Sequence, residues 1–320
     1  MIPADMQILA FPVFLIGVIL LWKGSDVLID GTSKTAAQLG ISALIISVIL
    51  VGFGTSAPEF AISVGAAAQK NSDISLGNII GSCIANLFLV LGISALIRPI
   101  KVRKGIIKRE APVMLGATFA LLLFAFLGLL DKYHIIGGFL FCILFIIFVI
   151  FFVFCAKKER DNSVKYETGK TMRNIFFIIL GIIGVVVGAW MLIESAVCIA
   201  DYFGIPQIVI ALSMVAVGTS LPELVVSSMA AYRGESDIAV GNVLGSNVFN
   251  ILLILGVAAL FIPLNTFESL DHLIILFAVT LLIFPIIYTQ HKISRAEGFF
   301  MLIIYSIFIC YTFLGPKITF

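Results

Sequence analysis

Charge is scarce in this chain. Of its 320 residues only 12% are Asp, Glu, Lys or Arg, about half the share found in soluble domains. So little charge cannot cover a water-facing surface of this size, and a soluble globular fold is excluded. Histidine is scarce as well, with three scattered copies, which argues against a histidine-built metal centre. The five cysteines (Cys83, Cys142, Cys155, Cys198 and Cys310) show neither pairing nor metal-ligand spacing and lie in or beside apolar segments. They read as small buried hydrophobes. No nucleophile stands beside a base, so an intramembrane enzyme has no visible machinery. A net charge of +2 gives no reason to expect nucleic acid as a partner. The opening "MIPADMQILAF" lacks a basic region and a small-residue cleavage site, so the first apolar stretch is read as a span and not a removed signal.

What the chain has instead is hydrocarbon. Hydrophobic residues make up 61% of it, and its mean hydropathy is +1.18. Ten apolar segments are read, near 8–30, 41–68, 73–97, 112–130, 134–156, 175–200, 205–231, 237–262, 270–289 and 296–314. Each can cross about 30 Å of hydrocarbon as a helix. The class is an all-α membrane protein whose partner is the lipid bilayer. With ten spans, one side holds both termini and only Lys70, Lys132 and Lys317. The other side holds sixteen of the twenty basic residues, most of them after spans 3 and 5. By the positive-inside rule those two loops are cytoplasmic and both termini lie outside.

The chain repeats itself. "GTSAPE" at 54–59 returns as "GTSLPE" at 218–223, and "GNIIGSCIANLFLVLG" at 77–92 as "GNVLGSNVFNILLILG" at 241–256, both 164 residues on. Gly24 and Gly188, Asp73 and Asp237, and Pro99 and Pro263 share that offset. The expected organisation is two five-helix repeats, 1–156 and 175–320, joined by a cytoplasmic linker at 157–174. Five is odd, so the repeats insert with opposite topology. Inverted repeats place a transport site near the midplane, on interrupted helices. Spans 2, 3, 7 and 8 would form that ion-binding core.

The chemistry sits in the repeated motifs. Pro58 has no N–H to give the carbonyl of Gly54, and Gly52 and Gly54 loosen the turn before it. Carbonyls freed in lipid need a partner, and a cation would serve. Thr55 and Ser56 add hydroxyls and Glu59 a carboxylate. Gly218, Thr219, Ser220, Pro222 and Glu223 repeat the set. Two buried carboxylates carry −2, which is costly unpaired and which one Ca²⁺ neutralises. Ca²⁺ takes about six to eight oxygens at about 2.3–2.6 Å. Two or more Na⁺ could share the same oxygens, and competition for them would give antiport. Asn78, Ser82 and Asn86 form a stripe at i, i+4 and i+8, and Asn242, Ser246 and Asn250 form another, with Asn247 beside it. These stripes either line the cavity or hydrogen-bond between helices. Lys23, Asp26 and Asp30, with Glu194 at the repeat position of Asp30, read as side chains that snorkel or pair at a span end.

Together these motifs resemble the two α-repeats of the cation/calcium antiporter superfamily, and of its prokaryotic Na⁺/Ca²⁺ exchanger branch in particular. The resemblance covers essentially the whole chain. It implies Glu59, Glu223, Thr55 and Thr219 as Ca²⁺ ligands. It implies Na⁺ sites built by Ser56, Ser82, Ser220, Ser246 and the Ala216 carbonyl with the same glutamates. Asn86 and Asn250 would line the centre, with Gly52, Asn78 and Asn242 around it. It further implies alternating access, with spans 1 and 6 sliding past the other eight, and exchange of three Na⁺ for one Ca²⁺ across the cell membrane. Two departures matter. Some relatives, including K⁺-dependent exchangers, carry Asp where this chain has Asn250, so the centre stays at −2 and K⁺ independence is expected. Some carry Ala where this chain has Gly52, which leaves that carbonyl less constrained. Proton/Ca²⁺ antiporters of the superfamily usually show "GNxxE" at the first acid; "GTSxP" here favours Na⁺, with H⁺ as the alternative counter-ion. No cofactor beyond the transported ions is expected, and the functional unit is expected to be a monomer.

Overall fold

A computed structural model describes residues 4–103, 105–159, 168–202, 218–267 and 269–314. Its elements are almost entirely helical: α1 (Ala4–Leu39), α2 (Ala43–Thr55), α3 (Ala57–Ala68), α4 (Ser72–Ile97), α5 (Ile106–Phe126), α6 (His134–Glu159), α7 (Thr168–Tyr202), α8 (Leu221–Arg233), α9 (Ser236–Phe261), α10 (Leu270–Gln290) and α11 (Arg295–Leu314). Among the described residues eight helices are long and apolar enough to cross a membrane, nine if α2 and α3, bent by 49°, count as one span. The expected ten-span count is therefore met only in part. Much of the segment read at 205–231 lies outside the described residues, and α8 is its latter part.

Several helices run longer than their apolar patterns, among them α7, at Thr168–Tyr202 against the expected 175–200. α1 continues to Leu39 because its polar turns are paired: Asp30 meets Lys34 and Arg233, and Asp26 meets Arg233 at 2.9 Å. α5 begins at Ile106, ahead of the expected 112, because Arg109 pairs with the buried Glu110 inside a wide i→i+5 turn.

Burial shows where the centre lies. In α4 and α9, 78% and 83% of the span is buried, against 17–44% for the other unbroken spans. The outer helices present large apolar side chains such as Ile150, Phe154, Trp190 and Ile307 outward, as lipid requires.

Glycines let the helices meet backbone to backbone. On α1, a Cβ at Gly17 would lie 3.0 Å from the oxygen of Gly188, and one at Gly24 would lie 3.1 Å from that of Gly181. Gly31 faces Asn174 and Ile178, so numbers rise along α1 as they fall along α7, and the two helices are antiparallel. Gly17 and Gly181 are themselves 164 apart, like Gly24 and Gly188. The two close contacts thus exchange under the repeat offset. Elsewhere α4 packs on α11 through Gly92 and Gly298, and α9 on α6 through Gly256 and Gly138. Each central helix is thereby clasped by a helix from the other half of the chain.

The loops gather at two ends. At one end β1 (Ile100–Lys101) pairs antiparallel with β2 (Lys292–Ile293), Arg103 reaches Asp237, and Arg295 reaches the oxygen of Ile97. At the other end Asp131 accepts from Thr266, and Asn265 donates to Ser72. The basic loop after α4 lies at the first end.

Candidate cation centre

Both helix breaks have the same backbone form. Ser56 (φ −80, ψ 11) separates α2 from α3, and Ser220 (φ −84, ψ 8) precedes α8. The prolines lie just beyond, at the first positions of α3 and α8, where a missing N–H costs nothing. They start the new helix more than they break the old one. Glu59 and Glu223 fall in the first turns of these helices, where unpaired N–H groups favour negative charge. The Gly52 and Gly54 carbonyls accept backbone N–H groups at the break, so a cation would meet them only through a second lone pair.

The two breaks serve each other. Ser56 donates to Glu223 at 2.9 Å, and Ser220 stands 3.5 Å from Glu59. Ser82 donates to Glu59 at 3.1 Å, and Ser246 lies 3.4 Å from Glu223. Thr55 donates to Asn242 and Thr219 to Asn78. Asn78 in turn donates to Ser63, and Asn242 to Ser227. Every one of these bonds has its counterpart 164 residues away in both partners. The stripe asparagines Asn78 and Asn242 therefore act as struts between helices, and Asn78 also lines a cavity of about 690 Å³ with Thr219, Asp73 and Glu194.

Asn86 and Asn250 each open a wide i→i+5 turn, at Asn86–Val90 and Asn250–Ile254. Such turns often mark functional positions in helices. Asn86 donates to Asn247 at 3.0 Å, and Asn250 to Ser82 at 3.2 Å. Four oxygens are then left over: Glu59 Oε2, Glu223 Oε2, Asn86 Oδ1 and Asn250 Oδ1 are buried and have no hydrogen-bond partner among the described residues. All four are acceptors. Neither glutamate meets a Lys or Arg among the described residues. A set of buried acceptors with two negative charges and no donor is matched by a hard cation.

The structure thus brings together all the site residues read from the sequence except the Ala216 carbonyl, which lies outside the described residues. Gly52 has a tighter role than expected. A Cβ there would lie 2.8 Å from the nitrogen of Ser246, and its oxygen accepts from the Ser246 hydroxyl at 3.2 Å. It is one of the close contacts between α2 and α9, with Gly241 and Gly245. Asp26 and Asp30 do pair, with Arg233 at the end of α8, but they lie inside α1 and not at its end as expected, because the helix runs on to Leu39. Two residues escape the sequence reading as site members, and a third, Asn247, is read only as standing beside the second stripe. Ser63 and Ser227 stand at the common offset of 164 and could have been found by it. Asn247 could not, because its counterpart is Cys83.

The apolar spans define a multi-pass membrane protein, and the unpaired oxygens at its crossed helix breaks are ones that a cation would satisfy. The family model described as sodium/calcium exchanger protein matches residues 9–154 and 173–314. The sodium/calcium exchanger MaX1 of Methanosarcina acetivorans is 34% identical over 95% of this chain and 98% of its own. An uncharacterized membrane protein of Methanocaldococcus jannaschii is 36% identical over 97% of this chain and 100% of its own. The solved structure of the sodium-calcium exchanger NCX_Mj, soaked with zero Na⁺ and Ca²⁺, superposes with a TM-score of 0.83 at 35% identity, covering 95% of this chain and 99% of that one. The chain belongs to the sodium/calcium exchanger family, in its prokaryotic branch. That membership supports a transporter and not an enzyme.

Proposed function

We propose that the protein is a secondary antiporter exchanging Na⁺ for Ca²⁺ by alternating access. The observation that carries this is the set of four unpaired oxygens on Glu59, Glu223, Asn86 and Asn250. Glu59 and Glu223 supply the counter-charge of one Ca²⁺. The hydroxyls of Thr55 and Thr219 spend their protons on asparagines and keep lone pairs for Ca²⁺, beside their backbone carbonyls. Na⁺ ions use the same glutamates with Ser56, Ser82, Ser220, Ser246 and the Ala216 carbonyl. Sharing the carboxylates makes occupancy by Na⁺ and by Ca²⁺ exclusive, which is the condition for antiport. A stoichiometry of three Na⁺ to one Ca²⁺ moves one net charge per cycle.

The two halves are inverted repeats of five spans. The antiparallel seam of α1 and α7, with contacts that exchange under the 164-residue offset, supports this arrangement. The basic loops face the cytoplasm of a cell whose plasma membrane the monomer spans, and both termini face outside.

Tracer flux in proteoliposomes tests the reading. An outward Na⁺ gradient is expected to drive ⁴⁵Ca²⁺ uptake, with a current and without added K⁺. No Na⁺-driven uptake by correctly folded protein refutes it; uptake that follows a pH gradient and ignores Na⁺ makes H⁺ the counter-ion.

Asn250→Asp probes the charge count. Asn250 is fully buried, and a third carboxylate there takes the centre from −2 to −3. Like charges at one site favour uptake of a proton or another cation. The variant is expected to acquire a pH-dependent or K⁺-stimulated Ca²⁺ flux that the parent lacks. Identical pH and K⁺ profiles would show that Asn250 does not face the ions.

A further inference from the structure

We infer that Asn247 is the positioning residue that turns the Asn86 amide oxygen toward the transported cation, an inference that rests on the exchanger reading above. A primary amide has an accepting end and a donating end of nearly the same shape. A buried Asn beside a cation site can therefore help or oppose binding. Which it does is decided by what the other end of the amide bonds to.

For Asn86 that decision traces back to the backbone. Asn247 donates to the carbonyl oxygen of Cys83 at 3.1 Å, with the Met114 sulfur a further 3.9 Å neighbour. A backbone carbonyl only accepts, so Asn247 cannot turn over without setting oxygen against oxygen. Its own Oδ1 is thereby fixed toward Asn86, whose Nδ2 donates to it at 3.0 Å. The Asn86 oxygen is left pointing away, buried and unpartnered among the described residues. Asn86 and Cys83 are fully buried and Asn247 is 1% exposed, so no solvent competes.

Asn250, the repeat counterpart of Asn86, is held differently. It donates to the Ser82 hydroxyl at 3.2 Å, a group that can also donate. Ser82 spends its proton on Glu59 at 3.1 Å, so the direction of Asn250 is conditional on that carboxylate. The direction of Asn86 is unconditional. The difference originates in one repeat pair, Cys83 and Asn247, where the two motifs diverge. Loss of Asn247 frees Asn86 to present its N–H end to the ion. A misdirected dipole acts in proportion to ionic charge, so Ca²⁺ suffers more than Na⁺.

The test is a double-mutant cycle on N247A and N86A, read as half-saturating Ca²⁺ and Na⁺ in proteoliposomes, with N247C as the second variant because the first repeat carries Cys there. N247A and N247C are each expected to raise half-saturating Ca²⁺ about tenfold, the scale of one lost charge-assisted contact, and half-saturating Na⁺ by no more than about threefold. In the N86A background the Asn247 substitution should add less than about twofold, since a residue acting only through Asn86 is not additive with it. Unchanged Ca²⁺ affinity in folded variants overturns the inference. So does the full tenfold loss in the N86A background. Failure of both variants to fold overturns it as well, because the role would then be structural. Failure of the exchanger reading is separate: the parent protein itself would show no Ca²⁺ flux that Na⁺ drives.

Discussion

Glu223→Gln is expected to abolish Ca²⁺ transport, with at least a roughly 30-fold loss of flux at fixed Ca²⁺, and Glu59→Gln is expected to match it. Glutamine keeps the shape of glutamate and removes one charge, so packing is spared. It also replaces one acceptor by a donor. In the parent, Ser56 and Ser246 lie at 2.9 Å and 3.4 Å from Oε1, and Oε2 is unpartnered among the described residues. If the amide oxygen stays with the serines, its N–H₂ points at the cation. If it turns, donors face donors. Removing one member of a buried charge pair costs about 2–5 kcal/mol, which is roughly 30-fold to several thousand-fold in affinity. A second readout runs in the opposite direction. An uncompensated buried carboxylate destabilises the ion-free protein, so the Gln variants should melt at or above the parent temperature without Ca²⁺. The parent gains thermal stability from Ca²⁺ by linkage; the variants should gain none. Near-normal Ca²⁺ affinity in both variants would remove these glutamates from the site.

The second large effect is expected at a glycine. A Cβ on Gly245 would lie 2.3 Å from the oxygen of Val48 and 2.8 Å from its Cα. The atoms it would strike are backbone, so no side-chain rotation relieves the overlap. Gly245→Ala must push α2 away from α9. The bonds that cross this seam, Ser246 to Gly52 at 3.2 Å, Thr55 to Asn242 at 3.0 Å and Ser47 to Ile238 at 2.8 Å, lengthen together. Overpacking of this kind costs roughly 1–3 kcal/mol or more, and here it also displaces the break at Ser56. Gly245→Ala is expected to lose Ca²⁺-driven flux almost completely and to melt well below the parent. Gly116→Ala, in α5, meets nothing within 4 Å and should be neutral or slightly stabilising, since Ala is the better helix former. Parent-like melting and flux for Gly245→Ala would show that the seam is not closed as described.

Much of this was readable from the residues because two signals agree. Apolar length located the spans, and the 164-residue offset picked out Glu59, Glu223 and the serine and asparagine positions that the structure gathers. The parts that escaped share a cause: one residue's environment was supplied by a distant partner. α5 looked too charged to begin before 112, yet Arg109 and Glu110 neutralise each other. α1 looked finished at 30, yet Arg233, about 200 residues on, holds its acidic turn. Gly52 looked like a loosened ligand, yet the backbone of α9 passes beside it. Asn247 carries no repeat signal, because divergence from Cys83 is what gives it work to do. The proline reading was nearly right: Pro58 and Pro222 mark the breaks, but the serines before them turn the chain.

The exchange of partners between Ser56 and Glu223, and between Ser220 and Glu59, has a consequence for how such a molecule can be divided. Neither half owns a finished carboxylate site, since each acid is oriented by a hydroxyl from the other. The centre is chemically a subunit interface, made intramolecular by the stretch of chain between Glu159 and Thr168. Two separate chains cut within that stretch would each be an incomplete receptor, and ion binding would then report on their encounter. In the intact chain that encounter has already happened, at an effective concentration no pair of free halves could match.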